Sequence, residues 1–315
     1  MTSSKHLLDP ELSPMLEAPT FSLNDEAMAQ ARVTPIMKIA PLGDPSALGI
    51  TREEIFITCE GAPDIPALLY RPAANDKKLV PGYLHMHGGG YLFGEPKGSD
   101  ASNLSICSKL GVVVLSVDYR LAPEHPIPAP LDDCYVALAW LHNNASDLGI
   151  DVTRIGIGGE SAGGGMAAAL AIKARDANEY AICHQQLTYP MLDDRTGSDE
   201  HPADPLVGEF IWTAQSNQYA WNAYLADAPR TAPQVPARAD SLAGLPRTWM
   251  HTVTLDLFRD ENIAYANRLM AAGVPTELSV FPGGCHGYQG VPNTYLGKRY
   301  AHEFMDALAR GLGTR

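Results

Sequence analysis

From about residue 79 onward, short apolar runs alternate with stretches whose apolar positions recur at helical spacing. The runs are Tyr83 to His87, Val112 to Val117, Ile155 to Gly158, His184 to Tyr189, Trp249 to Val253 and Glu277 to Phe281. Between them, Leu131 to Leu141 and Met166 to Ala174 carry the helical period, and Asn262 to Ala272 does so again before Gly273 and Pro275 stop it. Strand, helix, strand repeated in this way predicts an α/β architecture, a mainly parallel sheet flanked by helices.

Two segments break the rhythm, and together they are expected to form a cap over the strand ends. The first is residues 1–46; the second is 195–243, rich in Pro, Asp and Ala, with Phe210, Trp212, Tyr219, Trp221 and Tyr224 in its middle. Those aromatics read equally well as the core of a small helical insertion and as the lining of a substrate pocket. The catalytic domain is then expected in two parts, 47–194 and 244–315. With no internal repeat, a solenoid is excluded.

Composition narrows the partners. A chain of 315 residues that is 45% hydrophobic buries a full core, and its net charge of −13 lacks the basic excess that a nucleic-acid backbone requires. A neutral or cationic small molecule suits it better, and an anionic membrane repels it. Asp9, Pro10 and Glu11 interrupt the apolar stretch at Leu7 and Leu8, so a secretory signal is not expected and the protein reads as cytoplasmic. Five scattered cysteines (Cys59, Cys107, Cys134, Cys183, Cys285) form no CxxC pair and suggest neither a disulfide framework nor zinc. No His/Asp/Glu cluster has ligand spacing, so neither metal nor cofactor is expected.

The chemistry begins at Gly159-Glu160-Ser161-Ala162-Gly163, a GxSxG placed between an apolar strand and a helix. A serine on so sharp a turn is presented above the sheet, and small flanking residues keep neighbouring elements from colliding with the bend. The alternative is a chance match. His87-Gly88-Gly89-Gly90-Tyr91 follows another apolar strand, and its glycines let backbone N–H groups approach a developing oxyanion. A plain turn is the bland reading, while a phosphate cradle lacks the Lys-Ser/Thr it would need. A serine nucleophile needs a base, and His286 lies in Gly283-Gly284-Cys285-His286-Gly287 after the strand ending at Phe281, whereas His302 reads as a helix residue. The acid belongs after the strand Trp249 to Val253, where Asp256 falls in the turn and Asp260 at the start of the next helix, a position that capping explains.

Taken together, these motifs with Asp118-Tyr119-Arg120-Leu121-Ala122-Pro123-Glu124-His125-Pro126 and Asp132-Asp133 resemble the hormone-sensitive lipase family of α/β-hydrolases over about residues 83–286. The resemblance implies the α/β-hydrolase fold with a helical cap, a triad of Ser161, Asp256 and His286, and an oxyanion hole from the N–H groups of Gly89, Gly90 and Ala162. Gly88, Tyr91, Trp212 and Glu160 are the expected substrate contacts. Homodimerisation through the edge near Leu278 to Phe281 is a family-level expectation. Two positions depart from the family: Thr254-Leu255-Asp256-Leu257-Phe258 stands for its usual Gly-x-Asp-Pro-Leu, and Glu160 for its usual Asp or Thr. Glu160 is expected to hold nearby backbone or Arg120. The activity implied is hydrolysis of short- to medium-chain acyl esters without a cofactor. An amidase or deacetylase needs the same triad and stays open, and a ligand-binding receptor, like the plant gibberellin receptors, would lack the base that His286 supplies.

Overall fold

The computed structural model describes residues 3–33, 41–59, 61–73 and 78–315, with Arg32 followed in its backbone alone. Residues 34–40 of the expected first cap segment therefore lie outside the described residues. One sheet contains β1 (Ile50–Ile57), β2 (Ile65–Pro72), β3 (Val80–Met86), β4 (Val113–Val117), β5 (Ile150–Glu160), β6 (His184–Thr188), β7 (Arg247–Val253) and β8 (Thr276–Phe281). Their spatial order is β1-β2-β4-β3-β5-β6-β7-β8. β2 is antiparallel to both neighbours, and every pair from β4 to β8 is parallel. The helices are α1 (Asp25–Val33), α2 (Asp100–Leu110), α3 (Ala129–Asn143), α4 (Ala145–Leu148), α5 (Ala162–Ala177), α6 (Ala214–Leu225), α7 (Arg259–Ala271) and α8 (Tyr295–Leu312).

β4 and β6, parallel strands inside the sheet, are buried along their whole length; β4 reads as an apolar run for that reason, whereas β6 buries His184, Gln185, Gln186 and Thr188. Every predicted run falls on one of β3 to β8, and the three predicted helices fall on α3, α5 and α7. The structure adds β1, β2 and α2, and it lengthens the third run into β5. The side chains of α3, α5 and α7 pack with Leu84, Leu115 and Ile157 in one core. Those of α2 and α8 pack with Tyr70, Tyr83 and Trp249 in another.

Parallel order places the C-terminal ends of these strands at one edge, where open α/β sheets carry their sites. Met86, which ends β3, pairs with Gly159 near the end of β5, so the glycine run and the serine turn leave the sheet side by side. The acid and base loops follow β7 and β8, two and three strands from β5 in the same sheet. Above this edge, α1 and α6 meet: the Leu23 N–H donates to Ser216 Oγ at 3.2 Å, and the Tyr219 hydroxyl to Asp25 Oδ1 at 2.9 Å. Ser3 to Leu16 takes another course. Leu8, Leu12 and Met15 pack with Phe281, Cys285 and Tyr288, and the Asp9 N–H donates to the Gly283 carbonyl at 3.0 Å.

Candidate active site

Ser161 links β5 to α5 with φ 56° and ψ −121°, a left-handed conformation costly for a residue with a Cβ. The surroundings enforce it. A Cβ on Gly159 would lie 2.2 Å from the Met86 carbonyl oxygen, and one on Gly163 would lie 2.1 Å from the same atom. Only glycine on both sides lets β3 pass this closely, so the GxSxG spacing is a packing requirement of the turn. The Ser161 N–H is tied to the Thr188 carbonyl at 2.9 Å, which anchors the turn to β6.

Ser161 Oγ lies 3.1 Å from His286 Nε2, and His286 Nδ1 lies 2.7 Å from Asp256 Oδ2. Asp256 is wholly buried, and its other oxygen accepts the Phe258 N–H at 2.9 Å. A buried carboxylate that accepts the Nδ1–H leaves Nε2 as the acceptor for the serine hydroxyl. Phe258 meets the His286 ring edge-on at 5.4 Å and Tyr189 lies tilted at 4.6 Å, so the imidazole is held by packing as well. Asp260 is exposed in the first turn of α7 and pairs with Arg259 at 2.7 Å, and His302 is exposed on α8.

Three peptides beside the hydroxyl are fixed by their carbonyls. A trans peptide holds C=O and N–H on opposite sides, so a fixed carbonyl aims the following N–H. The Gly88 carbonyl accepts Nδ1–H of His87 at 2.9 Å. The Gly89 carbonyl accepts the N–H groups of Leu92 and Phe93 at 3.1 and 2.9 Å, and the Ser161 carbonyl those of Gly165 and Met191, both at 3.0 Å. The N–H groups on the far sides belong to Gly89, Gly90 and Ala162, and they donate to no acceptor among the described residues. Burial lowers the His87 imidazole to about 4, so it is neutral at pH 7 and Nδ1 carries the proton it donates. Its ring stacks on Tyr119 at 4.4 Å.

Gly88, Gly89, Gly90, Glu160, Ser161, Trp212 and His286 line one cavity of about 880 Å³, a volume suited to a small organic molecule. Tyr91 does not line it. Its φ of 63° turns the chain after the glycines, and its fully buried ring stacks on Tyr224 at 4.0 Å while its hydroxyl donates to the Met191 carbonyl. The expected substrate contact is thus a core residue packed on α6. Glu160 also differs from expectation: Oε2 lies 3.2 Å from His85 Nε2, because Arg120 is taken by Asp133 at 2.7 Å. The second-segment aromatics divide, with Trp212 in the cavity and Trp221 and Tyr224 packed on Tyr91. Sequence reasoning missed Phe21, Phe93, Glu95, Tyr189 and Ile211 in the lining. Tyr189 carried a signal, since it follows β6 at the same sheet edge; Phe21 and Ile211 carried none. Among the described residues no group of three His, Cys, Asp or Glu side chains is placed to hold a metal ion.

Residues 83–290 match the family model of the alpha/beta hydrolase fold. Esterase LipI of Mycobacterium tuberculosis is 34% identical over 289 residues, covering 91% of this chain and 89% of that protein. Carboxylesterase NlhH of the same organism is 36% identical over 291 residues, covering 89% and 88%. The solved structure of a bacterial heroin esterase matches with a TM-score of 0.85 at 35% identity over 98% of each chain. The chain belongs to the alpha/beta hydrolase family, among the bacterial esterases that resemble hormone-sensitive lipase. It is an enzyme, a serine hydrolase of the carboxylic ester hydrolase class.

Proposed function

We propose that this carboxylesterase cleaves short- to medium-chain acyl esters by two acyl transfers through Ser161, under a cap to which residues 21–33 and 195–243 contribute. In the first, Ser161 Oγ bonds to the ester carbonyl carbon while its proton passes to His286 Nε2, and Asp256 stabilises the imidazolium. The oxyanion is met by the N–H groups of Gly89, Gly90 and Ala162, each worth about 3 to 4 kcal/mol in the transition state. The bond to the alcohol oxygen then breaks, His286 returns the proton to it, and an acyl-enzyme remains. Water, giving a proton to His286, repeats the attack and releases the acid with Ser161 restored.

The observation that carries this reading is the 3.1 Å approach of the serine hydroxyl to an imidazole held by a buried carboxylate. The chain-length preference rests on the bounded cavity of about 880 Å³. Hydrolysis of p-nitrophenyl esters from acetate to palmitate tests both. Turnover should peak at short or medium chains and fall by about 10⁴-fold or more in Ser161→Ala and Asp256→Asn, with Asp260→Asn close to wild type. Activity that climbs into the long-chain range refutes the preference, and a fully active Asp256→Asn with an inactive Asp260→Asn reverses the assignment of the acid.

A further inference from the structure

The walls of the cavity combine two features whose joint chemistry is that of an ammonium site. Four aromatic side chains, Phe21, Phe93, Tyr189 and Trp212, line it, with the Phe21 and Trp212 rings 6.1 Å apart and inclined at 57°. Two carboxylates, Glu95 and Glu160, lie in the same lining, and among the described residues no lysine or arginine does. The Glu95 carboxylate makes no hydrogen bond or ion pair with a described residue, and the neighbouring Lys97, which feels its charge, forms its ion pair with Glu54 at 2.9 Å. Glu160 engages His85 through Oε2 alone. Both acids flank the glycine cradle: Glu95 follows Gly94, whose Cβ would lie 2.4 Å from the Gly88 carbonyl oxygen, and Glu160 precedes Ser161.

We propose that the cavity selects esters whose alcohol or acyl part carries a quaternary or protonated tertiary amine over uncharged esters of the same shape, a selectivity that rests on the esterase reading above. Aromatic faces attract a cation through their quadrupoles while burying its methyl groups. Carboxylates in a cleft with low-dielectric walls focus a negative potential that water screens poorly, which adds to that attraction and repels an ester bearing a carboxylate. The amine lies among these groups while the carbonyl meets the glycine cradle.

The test compares butyrylcholine with its carbon isostere, 3,3-dimethylbutyl butyrate, which differ in charge and share the acyl group. The expected kcat/KM ratio favours the choline ester by about tenfold, within the range of cation–π and charge attraction. Glu95→Gln and Glu160→Gln should each lower that ratio severalfold, and Glu95→Lys should take it below one. Turnover of the neutral ester by the wild type and not by Ser161→Ala establishes the esterase independently, so a ratio at or below one then overturns the selectivity alone. A high ratio that all three Glu variants leave unchanged also overturns it, and if neither ester turns over both readings fall.

Discussion

A methyl group at position 89 would lie 2.1 Å from the Phe93 carbonyl oxygen, whereas one at position 90 would meet the Trp212 ring at 2.3 Å. The first obstacle is backbone and the second is the tip of a side chain, which a substitution can remove. Gly89→Ala should therefore lower kcat by about 100-fold, the scale of losing one oxyanion donor. Gly90→Ala should lower it less, and Trp212→Ala should recover activity in the Gly90→Ala background but not in Gly89→Ala. Steady-state kinetics with p-nitrophenyl butyrate on the single and double variants check this. The glycines were legible in the sequence because their chemistry is local to four consecutive residues. The partner of Glu160 was not, since it depended on Asp133 capturing Arg120 and on His85 standing across the neighbouring strand.

At the level of elements, β3, β4 and β7 were readable because two-sided burial leaves long apolar runs, while β6 (His-Gln-Gln-Leu-Thr) and the edge strand β8, which buries only Phe281, were placed by the strand–helix rhythm around them. β1 was hidden for the opposite reason. It is an edge strand, Ile-Thr-Arg-Glu-Glu-Ile-Phe-Ile, that buries only Ile50 and Ile57 and leaves Phe56 exposed. α2 was hidden because its inner face is partly polar, with Asp100 buried and ion-paired to Arg52 at 2.8 Å and Asn103 buried beside it. The exit from β6 into the second irregular segment turns on Asp194, whose side chain is 2% exposed and meets Arg238 Nε at 2.5 Å and Arg230 Nη1 at 3.0 Å. Removing one partner of a buried ion pair costs about 3 to 5 kcal/mol, less where the other partner reaches water as these arginines do. Asp194→Ala should lower unfolding stability by about 2 to 3 kcal/mol in urea titrations. KM should rise more than kcat falls, since the helix over the cavity is loosened while the serine turn keeps its own supports.

Across the whole molecule, burial lowers His87 and His184 to about 4 and His251 to about 3. Their folded values lie below an unfolded value of about 6.5, so the stability they preserve is present above that pH and is lost as pH falls toward the folded values. Glu261 acts in the other direction, because burial raises its carboxyl well above the ordinary range and its contribution is lost as pH rises. His142 is lowered by burial as well, and Asp118, raised by burial to about 6, opposes the histidines as Glu261 does. Four histidines against two carboxyls should give a higher urea midpoint at pH 7 than at pH 5, with a slope of at most about 1.4 kcal/mol per pH unit for each histidine. His251→Phe should remove one histidine's share of that slope, whatever it costs at pH 7. The course of the first residues is a property of the same scale: periodicity gave no sign that Ser3 to Leu16 would tie Glu209 and Phe210 to the histidine loop. A protease nick after Leu16 would therefore leave the nucleophile and its amides in position while letting the imidazole drift. The trimmed enzyme would keep its shape and go silent, its failure originating in a stretch that never touches the reacting carbonyl.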